Sequence, residues 1–197
     1  LGGRLGADLR QQLEAVHVRH VDVRHDEVEP AVAQLGEGRD AVLGLVGVAA
    51  GLASSGKTAL IAALALAHLV GPEAIPNGEI YSAATEREQA AIVFKVAKQI
   101  VDADPELSAM LTVVPSTKTI VCPSNGSFYR AISAEAGSKH GFNPSVVIYD
   151  ELAQAKNREL YDVLDTSMGA RAEPLFIVIS TQSNDPQHIL SQLIDDG

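Results

Sequence analysis

Residues 51–58 form a short glycine-containing segment whose residue types and spacing suit phosphate binding. Their sequence, GLASSGKT, fits the phosphate-loop pattern G-x-x-x-x-G-K-[ST] at every fixed position. The glycines let the backbone curl until successive N–H groups point at a bound phosphate. Lys57 adds a positive charge toward the outer phosphates, and the Thr58 hydroxyl is placed to ligate Mg²⁺. The predicted nucleotide-binding residues of this segment are Gly51, Ser54, Ser55, Gly56, Lys57 and Thr58.

The flanks of this segment follow the order that a phosphate loop requires. An apolar run at 42–48 predicts a strand before it, and residues 59–70 predict a helix after it. A helix that begins at the loop directs the positive end of its dipole toward the nucleotide. The alternative is a chance Gly/Ser-rich turn before a helix, but the order of strand, loop and helix favours the nucleotide site.

A second chemical group lies at the end of residues 146–151, whose sequence is VVIYDE. The apolar, β-branched run indicates a buried parallel strand, and open α/β sheets bind ligands at the carboxyl ends of such strands. Asp150 is predicted to hold Mg²⁺, and Glu151 is predicted to orient and deprotonate an attacking water. Adjacent acids of this kind are typical of hydrolases; the alternative is a strand followed by an acidic helix cap.

Two further features are candidates for the same site. Ser180 and Thr181 end the next predicted strand and are expected to bind or sense the nucleotide's outer phosphate, although small polar residues also end many ordinary strands. Phosphoryl transfer also needs a cation besides Lys57. Arg171 is our candidate for that catalytic role, with Arg130 and Lys139 as alternatives, and each also suits a solvated surface charge.

Composition narrows the class of protein. The 197 residues suffice for one good-sized core, and 46% of them are hydrophobic. The net charge of −10 argues against gripping nucleic acid by bulk electrostatics. The single cysteine, Cys122, excludes an internal disulfide and predicts a small buried residue on a strand. No signal pattern or membrane-length apolar run is visible, so we expect a cytoplasmic protein without membrane association.

The remaining pattern alternates strands and helices. A strand is predicted at 79–83, followed by a helix that opens with a Thr85/Glu88 capping box and buries an apolar face including Ile92. Asn125-Gly126 predicts a hairpin between strands at 117–122 and 127–132. A helix at 157–168 and a strand at 175–180 follow. These elements predict an α/β fold with a mostly parallel central sheet, flanking helices and an inserted β-hairpin.

The first 45 residues differ from the rest. Residues 10–16 suit a short helix, and residues 16–23 mix valine with charged and histidine side chains without a clean period. His17, His20 and His25 fall here, but their spacing matches no metal motif. We therefore predict an atypical N-terminal segment at 1–45, with no assigned function, and an ATPase domain at 46–197.

Several blocks together resemble the ATPase domain of the large terminase subunit of tailed phages. The resemblance covers residues 50–197 and is carried by GKT at 56–58, YSAAT at 81–85 with EREQA at 86–90, HGFNPS at 140–145 leading into YDE at 149–151, AR at 170–171 with PL at 174–175, and ISTQ at 179–182.

This resemblance implies a phosphate-loop ATPase of the additional-strand (ASCE) class that uses ATP and Mg²⁺. Lys57 and Thr58 would bind the triphosphate and magnesium, Asp150 and Glu151 would be the Walker B acid and catalytic base, and Ser180-Thr181 the coupling motif. The family drives phage DNA into a procapsid in the bacterial host, so the implied partners are double-stranded DNA, a portal protein, a small terminase subunit and further copies in a ring.

Two departures from the family pattern leave alternatives open. The loop interior lacks the arginine that large terminases usually carry there, and the clustered carboxylates of the family's nuclease domain are not found in this chain. The alternatives are a truncated, catalytically weak remnant that binds nucleotide or partner subunits, and another phosphate-loop ATPase such as a helicase-like enzyme.

Overall fold

The computed structural model describes residues 56–71, 73–134, 141–181, 185 and 187–195, together with the backbone of residues 17–21. The strands of the described part are β1 (His17–Val21), β2 (Glu79–Ala84), β3 (Thr112–Val114), β4 (Thr119–Cys122), β5 (Ser127–Ser133), β6 (Val146–Asp150) and β7 (Leu175–Ile179). Its α-helices are α1 (Gly56–Val70), α2 (Arg87–Ala103), α3 (Pro105–Met110), α4 (Glu159–Ser167) and α5 (Ile189–Asp195).

These strands form one sheet in the order β1-β7-β6-β2-β5-β4-β3. β1, β7, β6, β2 and β5 run parallel to one another, whereas β4 pairs antiparallel with both β5 and β3. The predicted mostly parallel sheet with an inserted hairpin is therefore confirmed. The strand predicted at 42–48 lies outside the described residues.

Helix α1 is apolar on almost every side, and the structure buries it accordingly. Its apolar residues from 59 to 67, and Leu69, are at most 2% exposed. The helix packs against the sheet and against α2, which covers the same face of the sheet. Alanine supplies much of this contact, because its small side chain lets a helix lie close to its neighbours. The α1 alanines in the core are Ala59, Ala62, Ala63, Ala65 and Ala67.

Helix α2 begins later than the sequence indicated. The predicted capping box is wrong, because Glu86 occupies the N-cap position and no side chain caps the helix there. The predicted apolar face is buried except at Ile92, which is 47% exposed and is a second error. Ala90 and Val93 in the first turns are nearly inaccessible and fix the start of α2 against the core.

The hairpin predicted at Asn125-Gly126 joins β4 to β5. Gly126 has a φ of +73°, a left-handed conformation that side chains disfavour. A Cβ atom at this position would also lie 2.5 Å from the Asn77 side chain. Cys122, at the end of β4, is 1% exposed, which confirms its prediction as a small buried residue on a strand.

Strand β1 was not predicted. It pairs with β7 from His17↔Leu175 to Val21↔Ile179, so part of the segment predicted as atypical contributes to the sheet. In the described sheet β1 is an edge strand, and edge strands tolerate charged residues that obscure the apolar pattern of central strands. Within the described ranges no helix is long and apolar enough to cross a membrane.

Candidate active site

Three neighbouring parallel strands end in register at one edge of the sheet. Ala84 at the end of β2 pairs with Asp150 at the end of β6, and Asp150 pairs with Ile179 at the end of β7. Parallel strands bring their carboxyl ends to the same edge, which is where α/β sheets bind ligands. The residues that follow these strands are therefore neighbours in space although they lie far apart in the chain.

Helix α1 begins at this edge and brings Lys57 to the acids. The Nζ atom of Lys57 lies 2.8 Å from Oε1 of Glu151, and their side chains are 22% and 19% exposed. The structure thus brings together two residues 94 positions apart, as the sequence predicted. Partial shielding from water makes this ion pair stronger than a fully exposed one.

Asp150 is the buried acid of the pair, with 3% of its surface exposed. Its Oδ2 atom accepts a hydrogen bond of 2.7 Å from Nε2 of Gln89. Burial raises the pKa of Asp150 above its usual value, the Gln89 bond opposes that rise, and the negative charge of Glu151 adds to it. A carboxylate kept in so dry a place gains most from a bound cation.

Glu151 adopts a backbone conformation that is rare for a residue with a side chain. Its φ and ψ are 53° and 51°, in the left-handed region. Such a conformation costs on the order of 1–3 kcal/mol and persists where the surroundings hold it. Its N–H donates to the Ile179 carbonyl at 2.8 Å, and its Oε2 accepts from Gln154 at 3.3 Å. The strand therefore turns sharply at Glu151 and presents the carboxylate to Lys57.

The two hydroxyl residues after β7 both contact the segment that carries the acids. Ser180 is 1% exposed, and its Oγ accepts a 3.0 Å hydrogen bond from the Ala153 N–H. Thr181 donates from Oγ1 to Oε2 of Glu151 at 3.2 Å. A change in the position of Glu151 would therefore reach the end of β7 directly.

The remaining phosphate-loop residues are only partly described. Gly56 begins α1, and Thr58 is 5% exposed one residue after Lys57. The other predicted nucleotide-binding residues of the loop, Gly51, Ser54 and Ser55, lie outside the described residues.

The donor chemistry suits magnesium. A hydroxyl and a single carboxylate, Thr58 and Asp150, are oxygen donors of the kind that Mg²⁺ takes from proteins while keeping several waters. Among the described residues no group of three or more His, Cys, Asp or Glu side chains is placed to hold a metal ion. The site therefore fits an ion that is shared with substrate phosphates rather than one enclosed by protein ligands.

The structure does not bring Arg171, the predicted catalytic cation, to this edge of its own chain. It precedes β7, and its guanidinium donates to the carbonyls of Asn143 and Asn77, which precede β6 and β2. Those contacts place it at the amino edge of the sheet, and a five-residue strand separates the two edges by about 16 Å.

Of the two alternative cations, only Arg130 lies in the described part of the chain. Arg130 lies within β5, where it donates to Thr119 and stacks on Phe128 at 5.0 Å. Lys139 lies outside the described residues.

Two amides hydrogen-bond to the acids. Gln89, in the first turn of α2, binds Asp150, and Gln154, in the turn after β6, binds Glu151. From the sequence, contact with nucleotide or a partner and simple packing explain Gln89 equally well, and neither indicates a bond to Asp150. Gln154 gave no signal, because its spacing of three from Glu151 fits any turn.

A cleft of about 650 Å³ opens at the same edge. Its walls come from residues 85–88 at the start of α2 and 155–157 after the acids, with Tyr149 between them. Burial raises the pKa of Tyr149 to about 12, so its hydroxyl stays neutral. The cleft leaves room for part of a ligand beside Tyr149, and neither Lys57 nor the two acids are among its lining residues.

Comparisons with known proteins agree with this geometry. Residues 48–196 match the family model described as terminase large subunit, ATPase domain. The chain is 44% identical over 145 residues to the large terminase subunit of Enterobacteria phage HK97. The aligned region covers 73% of this chain and 29% of that relative.

Solved structures give the same result. The crystal structure of the HK97 large terminase aligns with a TM-score of 0.68 over 72% of this chain and 30% of that one, at 44% identity. The large terminase ATPase domain of Thermus phage P74-26 shares the fold, with a TM-score of 0.55, 18% identity and coverage of 67% and 58%. The chain thus spans less than a third of the length of its HK97 relative. Because residues 48–196 match the family model, the chain belongs to the family of terminase large subunits, and the match lies in their ATPase domain, which has a phosphate-loop ASCE fold.

Proposed function

We propose that residues 46–197 form an Mg²⁺-dependent ATPase domain that powers the translocation of viral DNA into a procapsid. One observation carries the proposal: Lys57 and Glu151 meet at 2.8 Å beside the buried Asp150, at the carboxyl edge of the sheet. These are the charges that ATP hydrolysis requires, in a chain of the terminase ATPase family.

The residues divide the chemistry among themselves. Lys57 transfers its contact from Glu151 to the outer phosphates of ATP, which frees the Glu151 carboxylate. Glu151 then takes a proton from the attacking water; the water oxygen bonds to the γ-phosphorus, and the bond to the bridging oxygen breaks to release ADP. Mg²⁺, held by Thr58 and Asp150, would neutralise charge on the phosphate oxygens.

Two other groups support this reaction. The loop residues Gly51, Ser54, Ser55 and Gly56 would hold the phosphates through their backbone N–H groups. Ser180 and Thr181 would couple the site to the rest of the molecule, since Thr181 contacts Glu151 and Ser180 holds the following turn.

The site still needs a second cation, and among the described residues no arginine contacts Lys57 or Glu151. An arginine supplied by a neighbouring copy would complete it, which favours a homo-oligomeric ring. Within such a motor the partners would be double-stranded phage DNA, the portal protein and the small terminase subunit, in the cytoplasm of the bacterial host.

The test is an ATPase assay on the Glu151→Gln variant. Turnover should fall by roughly 10²–10⁴-fold, the usual effect of removing a general base, while ATP still binds. Glu159→Gln, an exposed position at the start of α4, is the matched control and should retain turnover. Wild-type turnover in the Glu151 variant would reject the assigned base. Nucleotide binding without turnover in the wild type, even with DNA and portal added, would instead identify an inactive remnant.

A further inference from the structure

We propose that Gln89 is a positioning residue for the metal site, and that its side-chain amide holds the Asp150 carboxylate in the orientation that Mg²⁺ requires. The proposal rests on the proposed ATPase function and adds to it a residue outside the phosphate loop and the paired acids. Its basis is the 2.7 Å hydrogen bond from Nε2 of Gln89 to Oδ2 of Asp150.

The two acids are held by chemically different partners. Glu151 is paired with the ammonium group of Lys57, which compensates its charge. Asp150 is held by a neutral amide, and none of the ion pairs in the described part of the chain involves it. A neutral donor orients a carboxylate without cancelling its charge, so apart from the electrostatic influence of Lys57 the negative charge of Asp150 stays available to a cation.

The hydrogen bond also leaves Asp150 able to act as a ligand. Gln89 engages Oδ2, and contact with a magnesium ion or one of its waters needs only one carboxylate oxygen. With 3% of its surface exposed, Asp150 has little water to orient it, so the protein itself must set the angle of the carboxylate.

Helix α2 gives Gln89 a fixed base. Gln89 is the third residue of the helix, and its neighbour Ala90 is 2% exposed against the core. β2 ends at Ala84, opposite Asp150 in the sheet, so only a short connection separates the strand from the helix that returns to it. A hydrogen bond held from a rigid helix of this kind restricts the carboxylate more closely than one from a loop.

The test measures how strongly Mg²⁺ tightens nucleotide binding in the Gln89→Leu variant. Leucine keeps roughly the volume of glutamine but lacks the amide, and Gln99→Leu, about 15 Å further along the same helix, is the matched control. A fluorescent, non-hydrolysable ATP analogue is titrated in EDTA and again in Mg²⁺. We expect the gain in affinity from Mg²⁺ to fall by about tenfold in Gln89→Leu, with binding in EDTA unchanged. Gln99→Leu should match the wild type in both titrations.

A second variant separates orientation from simple packing. Gln89→Asn keeps an amide on a side chain one methylene shorter, so positioning predicts a magnesium-dependent gain between those of the wild type and Gln89→Leu. A space-filling role predicts the reverse order, because leucine preserves the packed volume better than asparagine.

The outcomes separate this inference from the proposed function. If Mg²⁺ tightens binding equally in the wild type and Gln89→Leu, Gln89 has no positioning role, although the ATPase proposal stands. The inference is overturned in the same way if Mg²⁺ tightens nucleotide binding more in Gln89→Leu than in Gln89→Asn. If Mg²⁺ has no effect on nucleotide binding by the wild type, the ATPase proposal fails, and the inference fails with it.

Discussion

The two edges of the central sheet use polar residues in opposite ways. At the carboxyl edge the charged residues bind other side chains, as Lys57 does with Glu151 and Asp150 with Gln89. At the amino edge the charged residues also bind the backbone. There Arg171 donates to two carbonyls, and the Glu79 carboxylate accepts from the Asn143 N–H at 3.1 Å.

This difference separates contacts that can exchange partners from contacts that hold the chain in place. A side chain bonded to backbone fixes a loop, because moving it would leave a buried carbonyl or N–H without a partner. A charged pair of side chains can separate when a ligand offers one of them a new partner. The carboxyl edge should therefore control activity, and the amino edge should control stability.

Lys57→Ala, at the carboxyl edge, is the change from which we expect the largest loss of activity relative to its loss of stability. ATP turnover should fall by roughly 10³-fold, because the charge that we propose to meet the outer phosphates is gone. The free energy of unfolding should change by only about 1 kcal/mol or less, since the ion pair is partly exposed. An ATPase assay and chemical denaturation check the two expectations. Lys98→Ala, which removes an exposed partner of Asp102 on α2, is the control.

His68, near the other end of α1, should make stability depend on pH. Burial lowers its pKa from 6.5 to about 4, so the folded protein keeps this imidazole neutral where the unfolded chain protonates it. Between pH 6.5 and 4 the unfolded state therefore binds more protons, and the folded state loses on the order of 3 kcal/mol as the pH falls.

The measurement is the free energy of unfolding of the wild type and His68→Leu from pH 7 to pH 4. The contributions of other titrating groups to the free energy of unfolding largely cancel in the difference between the two proteins. A difference that stays constant with pH would contradict the expected titration of His68.

Arg171→Ala should have a smaller effect, and on stability alone. Two backbone carbonyls lose a charged donor, which we expect to lower the free energy of unfolding by about 1–3 kcal/mol. ATP turnover per folded molecule should not change in the isolated chain. The exposed Arg158, paired with Asp162 on α4, supplies the control Arg158→Ala, which should leave the free energy of unfolding nearly unchanged. A folded Arg171→Ala protein without turnover would show that this arginine serves the site of a neighbouring copy.

Much of the site followed from strand direction. The segments at 79–83, 146–151 and 175–180 predicted central strands, and parallel strands place their carboxyl ends side by side. Asp150 and Glu151 could therefore be placed near Lys57 from the sequence, and the 2.8 Å contact confirms that meeting.

The same rule of strand direction would have placed Arg171 correctly. It stands four residues before β7, so it must lie near the start of that strand and away from the carboxyl edge. The chemistry of Arg171 and its nearness in sequence to Ser180 do not indicate which edge it occupies, whereas the direction of β7 does.

Other features could not be derived from local pattern. Gln89 and Asp150 are 61 positions apart, and their hydrogen bond depends on the exact rotation of α2 on the sheet. The true start of α2 at Arg87 has the same origin, because burial of Ala90 and Val93 outweighs the capping preference of Thr85. Strand β1 was missed because its residues alternate only weakly and lie at the sheet edge in the described part.

The alanine-rich side of α1 has a mechanical consequence for the site. Ala62 and Ala65 are fully buried in the core that α1 shares with α2 and the sheet, so their size limits the gap between the helix and its neighbours. A bulkier residue there would widen that gap, and the helix, being stiff, would shift as one piece together with Lys57 at its end. A displacement of about 1 Å can slow catalysis a hundredfold. The small size of these buried alanines therefore determines where the Lys57 ammonium lies, several residues away along the helix.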